Sequence, residues 1–376
     1  MTVYLVVLLS MLNSIGQRGS KMAVSLYALE MGAGSAAVGV LAALFATFPL
    51  LLAVHAGRIS DRFGVRYPMA CGAATMAAGL ALPLAGGGLP ALFLTPALIG
   101  LGHIFFHVSV HNLVGSLGDA AARTRNFATF ALGSSIAAFI GPSLAGFAIE
   151  LAGFSTAFAL LACVALLSGV VVLGSSFRRT VVDHDGEQPR SAFDLLAIPG
   201  LRRTLLMSGV TLTGIELFSF YLPVYGRSIG LSASVIGMIL SSYAVAGFIV
   251  RSFMPRLAQR FTEIGVLTGS LFVAALAYAA VPGLDAGLPL AAAAFALGLA
   301  LGSAQPLTII LTYNHAPAGR SGEALGLRIM ANKVTQIGVP LAFGGIGAAL
   351  GAAPVFLATG AFLLVAGLVS LREGRK

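Results

Sequence analysis

Gly57-Arg58-Ile59-Ser60-Asp61-Arg62-Phe63-Gly64-Val65-Arg66 separates two apolar runs, residues 36–57 and 67–86. Such a concentration of charge, in a chain only 9% charged and 58% hydrophobic, marks a wet turn between two segments that prefer hydrocarbon. Soluble domains carry about a quarter of their residues as Asp, Glu, Lys or Arg, so a soluble globular protein is excluded, and a disordered chain with it. The 47 glycines have no three-residue period, which excludes a collagen-like chain. Long continuous apolar runs also exclude the short alternating segments of an outer-membrane barrel. Cys71 and Cys163 both fall inside apolar runs, where a thiol behaves as a small hydrophobe, and no disulfide framework is implied.

Outward from the charged turn the same pattern repeats. A hydrocarbon core of about 30 Å takes about 20 apolar residues as a helix. The breaks between runs predict twelve spans, at 3–29, 36–57, 67–86, 90–117, 126–149, 153–176, 204–226, 232–254, 264–282, 288–314, 322–349 and 353–371. The connections alternate in charge. One set carries Arg58, Arg62, Arg66, Arg123, Arg125, Arg178, Arg179, Arg190, Arg202, Arg203, Arg251, Arg256, Arg260, Arg320, Arg372, Arg375 and Lys376; the other carries Arg227 beside Glu30, Glu150 and Asp285. That asymmetry places the first set, and both termini, in the cytoplasm by the positive-inside rule. It also accounts for the net charge of +9 without nucleic acid as a partner. The first run lacks a basic n-region and reads as a retained helix. The polar stretch 177–203 reads as a cytoplasmic linker between an N-terminal six-helix bundle (1–176) and a C-terminal one (204–376).

An offset of 198 aligns Tyr27 with Tyr225, Gly32 with Gly230, Gly39 with Gly237, Arg58 with Arg256, Arg62 with Arg260 and Phe63 with Phe261. An offset of 197 aligns Arg123 with Arg320 and Gly141 with Gly338. Two halves of like orientation predict a parallel repeat about an axis along the membrane normal, with substrate between the halves near the midplane. The opening decapeptide resembles the cytoplasmic signature of the major facilitator superfamily, Gly-x-x-x-Asp-Arg-x-Gly followed by basic residues, with Val65 where a basic residue is usual. The resemblance covers the whole chain, because the two-half, twelve-helix plan surrounds the motif. It implies an all-α membrane fold of two pseudo-symmetric six-helix bundles. It also implies a conformational latch at Gly57, Asp61, Arg62, Gly64 and Arg66, in which Asp61 accepts from a neighbouring helix end. The degenerate copy Arg256-Leu257-Ala258-Gln259-Arg260-Phe261 has Gln259 in place of the acid, so the latch should be stronger in the first half. Gly141-Pro142-Ser143-Leu144-Ala145-Gly146 is similar to the Gly-Pro-x-x-Gly-Gly end of a motif of exporters and antiporters in this superfamily, which favours export; physically, the proline bends the helix and the small residues allow close packing. The arginine that many drug exporters of the superfamily carry near the middle of the fourth span is absent from Pro96-Ala97-Leu98-Ile99-Gly100.

An ionisable group at mid-span costs about 2.5–3.5 kcal/mol on insertion scales, so each needs a partner, a cavity or a function. Those inside spans are Arg18, Lys21, Glu216 and Lys333, with Arg328 a turn or two within the membrane. The 198 offset makes Arg18 and Glu216 equivalent positions, facing each other if the first and seventh helices line the cavity. Three readings follow: a salt bridge that breaks between states, a proton carrier in Glu216, or a static pair. His103, His107 and His111 recur every four residues and form one stripe on the fourth helix. A metal could use adjacent histidines, yet one helix cannot complete a tetrahedral site, and protonation or hydrogen bonding to substrate fits the chemistry better.

The expected substrate-binding residues are Arg18, Lys21, His103, His107, Tyr221, Gln305, Asn332, Lys333 and Gln336, with Glu216, His103 and His107 carrying the coupling proton. The resulting cationic cavity should attract an anion. No phosphate loop, Gly-x-Ser-x-Gly, His-Glu-x-x-His or Cys-x-x-Cys occurs, and neither an enzyme nor a cofactor is expected. The reading is a monomeric transporter in the lipid bilayer of the cytoplasmic (inner) membrane. It would move a small organic anion or anionic amphiphile, coupled to protons. The alternatives are a proton-driven exporter of hydrophobic cations with Glu216 as counter-ion, and a histidine-dependent metal transporter or membrane-embedded enzyme.

Overall fold

Each apolar run becomes a helix in the computed structural model, which describes residues 2–117, 120–175, 192–317 and 320–373. The first half comprises α1 (Thr2–Glu30), α2 (Ser35–Phe63), α3 (Arg66–Ala81), α4 (Gly88–Ser116), α5 (120–152) and α6 (154–174). The second comprises α7 (Pro199–Ser228), α8 (Ala233–Arg260), α9 (Glu263–Ala280), α10 (Gly287–His315), α11 (Ser321–Leu350) and α12 (Ala352–Glu373). No strand occurs among the described residues. Ten segments are long and apolar enough to cross a membrane, with α5 and α6 counted as one. α1 is outside that set because Asn13, Gln17 and Arg18 interrupt its apolar run.

The turns restate the repeat. Gly32 and Gly230 sit at φ of 80° and 81°, and Gly153 and Gly351 at 81° and 87°. The left-handed region costs a residue with a Cβ about 1–2 kcal/mol, so glycine at these equivalent turns lets one helix end and the next begin at once. Two boundaries differ from expectation. α7 starts at Pro199, whose ring suits a first helical position, so Arg202 and Arg203 belong to the helix and not to the linker. α8 runs on to Arg260, past the expected end at 254, so Arg251, counted above with the connections, lies inside the helix. Linker residues 177–191 are outside the described residues. Its remainder, a short 3₁₀ helix at Ala192–Ala197, is tied to the start of α11 by a two-pronged bridge from Arg320 to Asp194, at 2.8 and 2.9 Å.

The halves meet along two seams, and the seams are copies of each other. A Cβ added to Gly39 on α2 would strike the Pro340 carbonyl and the Gly344 backbone of α11. One added to Gly237 on α8 would come 2.6 Å from the Pro142 carbonyl and 3.4 Å from the Gly146 Cα of α5. The offset that pairs Gly39 with Gly237 also pairs Pro142 with Pro340 and Gly146 with Gly344. Small residues thus bring helix backbones together where, in lipid, packing has to supply the attraction. Gly141 serves another face of α5: a Cβ there would meet Gly19 N and Ile15 O of α1, both at 3.0 Å.

These close approaches lie toward the end of the molecule bearing the short, charge-poor turns. Arg227 reaches Glu30 there at 3.0 Å, and Glu150 of α5 accepts from the Ser234 backbone N–H at 2.9 Å, capping α8 across the boundary between halves. At the arginine-rich end no salt bridge between the halves occurs among the described residues.

Candidate substrate and coupling site

At mid-depth, where the seams end, the polar residues of α1, α7 and α11 converge. Lys21 Nζ donates to Glu216 Oε2 at 2.9 Å, joining the halves by an ion pair. Gln336 Nε2 donates to the other carboxylate oxygen at 3.1 Å, and Lys333 Nζ donates to Gln336 Oε1 at 2.9 Å. The Gln336 amide therefore relays one ammonium to a carboxylate already held by another. Lys21 also stands 5.1 Å from the centre of the Phe220 ring, a face that attracts cations. The lysine and glutamate side chains keep 19% and 10% of their surface accessible, so water reaches the pair.

Glu216 takes its direct ion-pair partner from Lys21, and not from Arg18 as its symmetry-equivalent position suggested. The registers differ by one helical turn, and only packing decides which cation reaches. Arg18 makes no hydrogen bond or ion pair with a described residue and is exposed although it lies well inside α1. It interacts electrostatically with Glu216 and with Arg251. Arg251 donates from Nε to the Gly302 carbonyl at 3.3 Å and from Nη1 to Ser135 Oγ on α5 at 3.4 Å. Sequence reading counted Arg251 with the connections by its charge although its number falls in the 232–254 run; that place near the end of the run was the available signal that it belongs to the helix. Three cations, Arg18, Lys21 and Lys333, thus act on one carboxylate, and Arg251 stands beyond them next to Arg18.

The histidines form a stack along α4. Ring centroids of His103 and His107 are 5.1 Å apart, those of His107 and His111 4.2 Å, and Phe130 stands 4.8 Å from His111. His103 donates from Nδ1 to Asn13 Oδ1 at 3.0 Å, and His111 from Nδ1 to the His107 carbonyl at 2.8 Å. In that tautomer the Nε2 of His103 is an acceptor. No group of three His, Cys, Asp or Glu side chains able to share a metal ion occurs among the described residues. His103 feels the fields of Lys333, Arg18 and Lys21, so the stripe borders the cationic cluster.

Three expected substrate ligands lie elsewhere. Tyr221 is fully buried at the closed end, its hydroxyl 3.5 Å from the Ser35 carbonyl, packed where α7 meets Gly344 and Gly347. Gln305 accepts from Arg328 Nη2 at 2.9 Å, as does Thr308 Oγ1, which pins the buried guanidinium between α10 and α11. Asn332 accepts from Ser208 at 3.0 Å and joins α11 to α7. In the decapeptide 57–66, Arg66 donates to the Leu173 carbonyl at the C-terminal end of α6, where a helix end favours a cation. In this conformation it therefore binds its own half. Arg62 lies over Phe63, 5.3 Å from the ring centre. Gly57 has open space beside it, with Val108 at 3.9 Å from an added Cβ. Gly64 ends α2 at φ 78°. The side chain of Asp61, like those of Arg256 and Gln259, is outside the described residues.

Comparison with known proteins agrees with this architecture. The family model described as Major Facilitator Superfamily matches residues 6–281 and 204–375. A curated relative, Multidrug resistance protein 1 of Bacillus subtilis (strain 168), is 25% identical over 251 residues, 65% of this chain. The match spans 64% of that relative, less than two thirds of its length. Among solved structures, the nucleoside transporter NupG superposes with a TM-score of 0.84 at 13% identity, covering 99% of both chains. A bacterial homologue of the human lysosomal transporter Spinster gives 0.83 at 13% identity, covering 99% of this chain and 96% of that one. The peptide transporter POT in complex with sulfate gives 0.80 at 18% identity, over 99% and 94%. At these identities the likeness is one of fold.

Proposed function

The chain belongs to the major facilitator superfamily and is a multi-pass membrane transporter; from that premise we propose that it carries a small organic anion or anionic amphiphile by alternating access, coupled to protons. The observation that carries this reading is the single carboxylate of Glu216 among Arg18, Lys21 and Lys333, with Arg18 exposed and unpaired among the described residues. A positive, partly desolvated cleft concentrates anions. An anion bound at Arg18 would compete with Glu216 for Lys21 and Lys333. Glu216 is suited to take up a proton when those ammonium groups turn toward substrate and to lose it when they return, because a carboxylate loses its charge more readily without a cation beside it. His103, with an Nε2 lone pair, and His107 next to it in the stack are proposed to pass that proton along α4.

The arginine-rich end is taken as cytoplasmic on the positive-inside rule, which makes this conformation inward-facing and puts both termini in the cytoplasm of an inner-membrane protein, acting as a monomer. Resemblance to a multidrug resistance protein and the Gly141-Pro142 segment favour export. The same relative favours the second reading, a proton-driven exporter of hydrophobic cations with Glu216 as counter-ion. Against it, Glu216 is already held by Lys21 and Gln336, and a cation entering would meet three positive groups.

In proteoliposomes, Glu216→Gln should abolish proton-driven accumulation while substrate binding and exchange persist. Wild-type coupling in that variant would remove Glu216 from the mechanism. Thermal stabilisation of the purified protein by benzoate, lost in Arg18→Ala or Lys333→Ala, tests the anion site. Stabilisation by lipophilic cations, lost in Glu216→Gln, would instead establish the cation exporter.

A further inference from the structure

The seam between α5 and α8 has a second side, on a different face of α5 from the glycines that rest on α1. There the two helices leave an apolar cavity of about 590 Å³, lined among others by Phe139, Ile140, Phe147 and Met238, with Ser143 and Ser241 between them. Phe139, Phe147 and Met238 are 44–46% exposed. With Leu132 and Ile136 they continue an exposed apolar arc along α5, on a different side from the Gly133 and Gly141 positions that rest on α1. In a membrane-spanning pair of helices this arc borders lipid.

A hydrocarbon tail gains little by leaving other tails, since lipid is as apolar as the groove. Selection therefore needs a polar anchor at one end. Hydrogen bonds cross the seam at Glu150 to Ser234, at the Ser143–Ser241 hydroxyl pair, at Ser241 to the Phe139 carbonyl, and at Arg251 to Ser135. Ser135 lies one turn, about 6 Å, beyond Phe139 toward the arginine-rich end. At 3.3 and 3.4 Å both described Arg251 bonds are long, and their acceptors are neutral. A carboxylate or phosphate would form shorter, charge-assisted bonds about twice as strong.

We propose that the α5–α8 seam is a lateral port for a single-chain amphiphile with an anionic head group, its tail lying in the groove and its head on Arg251, one step from Arg18. The proposal rests on the anion reading above and narrows it to substrates that arrive from the bilayer. Charge complementarity selects this occupant: ordinary zwitterionic lipid satisfies the groove but brings its own cation to Arg251, and a neutral alcohol leaves the guanidinium with its weak partners.

The test uses full-length protein in phosphatidylcholine nanodiscs with dodecanoate bearing a diazirine at its tail end, and the matching dodecanol probe. Dodecanoate should label the segments 139–147 and 238–242, and dodecanol should not. Losing a hydrogen bond to a charged group, about 1.5–3 kcal/mol, should weaken dodecanoate labelling in Arg251→Gln by about tenfold or more, with partial rescue by Arg251→Lys. Met238→Trp, which fills the groove from an exposed position, should displace the label while leaving benzoate stabilisation intact, which also reports that the variant is folded. Equal labelling by dodecanol, or labelling that ignores both Arg251→Gln and Met238→Trp while benzoate still stabilises, would overturn the port and leave the anion site standing. Failure of both anions to bind would remove the anion reading, and the port with it.

Discussion

The two ends of the molecule are built from different materials. At the short-loop end the halves meet backbone to backbone, through Gly39 on Pro340 and Gly237 on Pro142, with Glu30–Arg227 and Glu150–Ser234 at the rim. At the arginine-rich end the described polar contacts stay within a half, as Arg66 on Leu173, or join the linker to its neighbour, as Arg320 on Asp194. Close packing is stiff and short-ranged, whereas arginines on exposed helix ends can change partner cheaply. The difference teaches that the closed end is held by shape, and that the open end has the chemistry of something designed to be remade. The network Lys21–Glu216–Gln336–Lys333 lies between them and is the element that the proposed proton and anion would rewrite.

Breaking the closed end by shape should have the largest effect. Gly39→Val or Gly237→Val forces a side chain against a carbonyl, and overpacking of this kind costs about 1–3 kcal/mol. Because the seams are separate, the double variant should be roughly additive. Spin-label distances across the short-loop end should lengthen in each variant and most in the double; unchanged distances would mean that the glycine contacts do not hold the closure.

Next comes the network. Lys21→Ala leaves Glu216 with only the Gln336 amide, and a lost bond to a charged partner is worth about 1.5–3 kcal/mol, less the share that water restores at a site still partly accessible. Thermal stability should fall and recover in Lys21→Ala/Glu216→Gln. Loss in the double variant equal to the sum of the singles would show that the pair is not coupled.

The rim should matter less. Glu30 and Arg227 are 51% and 57% exposed, and exposed pairs contribute about 0–1 kcal/mol. Glu30→Arg should open the short-loop end slightly, and Glu30→Arg/Arg227→Glu should close it again; raised salt should shrink both effects.

The smallest effect belongs to the other end. Hydrogen bonds from Arg320 hold the Asp194 carboxyl below the usual carboxylate range. A depressed folded-state pKa contributes stability that is present above the unfolded value and is lost as pH falls through the folded one. Order in the 3₁₀ segment, read by hydrogen exchange, should therefore decline only under acid conditions, and Asp194→Asn should abolish that pH dependence without altering spin-label distances at the short-loop end. Widening of those distances in Asp194→Asn would couple the ends and contradict the division drawn between them.

The helices, their order, the repeat and the family were legible in the chain itself. A run of apolar residues must be helical in lipid whatever surrounds it, because its backbone has no other hydrogen-bond partner. The mid-depth charges were legible for the same reason, since each is expensive and therefore visible against an apolar background. Which of them touch was decided by the tertiary structure. Lys21 and not Arg18 meets Glu216, Arg251 turns inward from the end of its run, and Tyr221, Gln305 and Asn332 serve helix packing in this conformation. Residues one helical turn apart look equivalent along a sequence, but they point into different neighbours once two helices are placed at a fixed rotation and depth. That rotation and depth come from glycine-to-carbonyl contacts between segments far apart in the chain, Gly39 on Pro340 and Gly237 on Pro142, which no local pattern encodes.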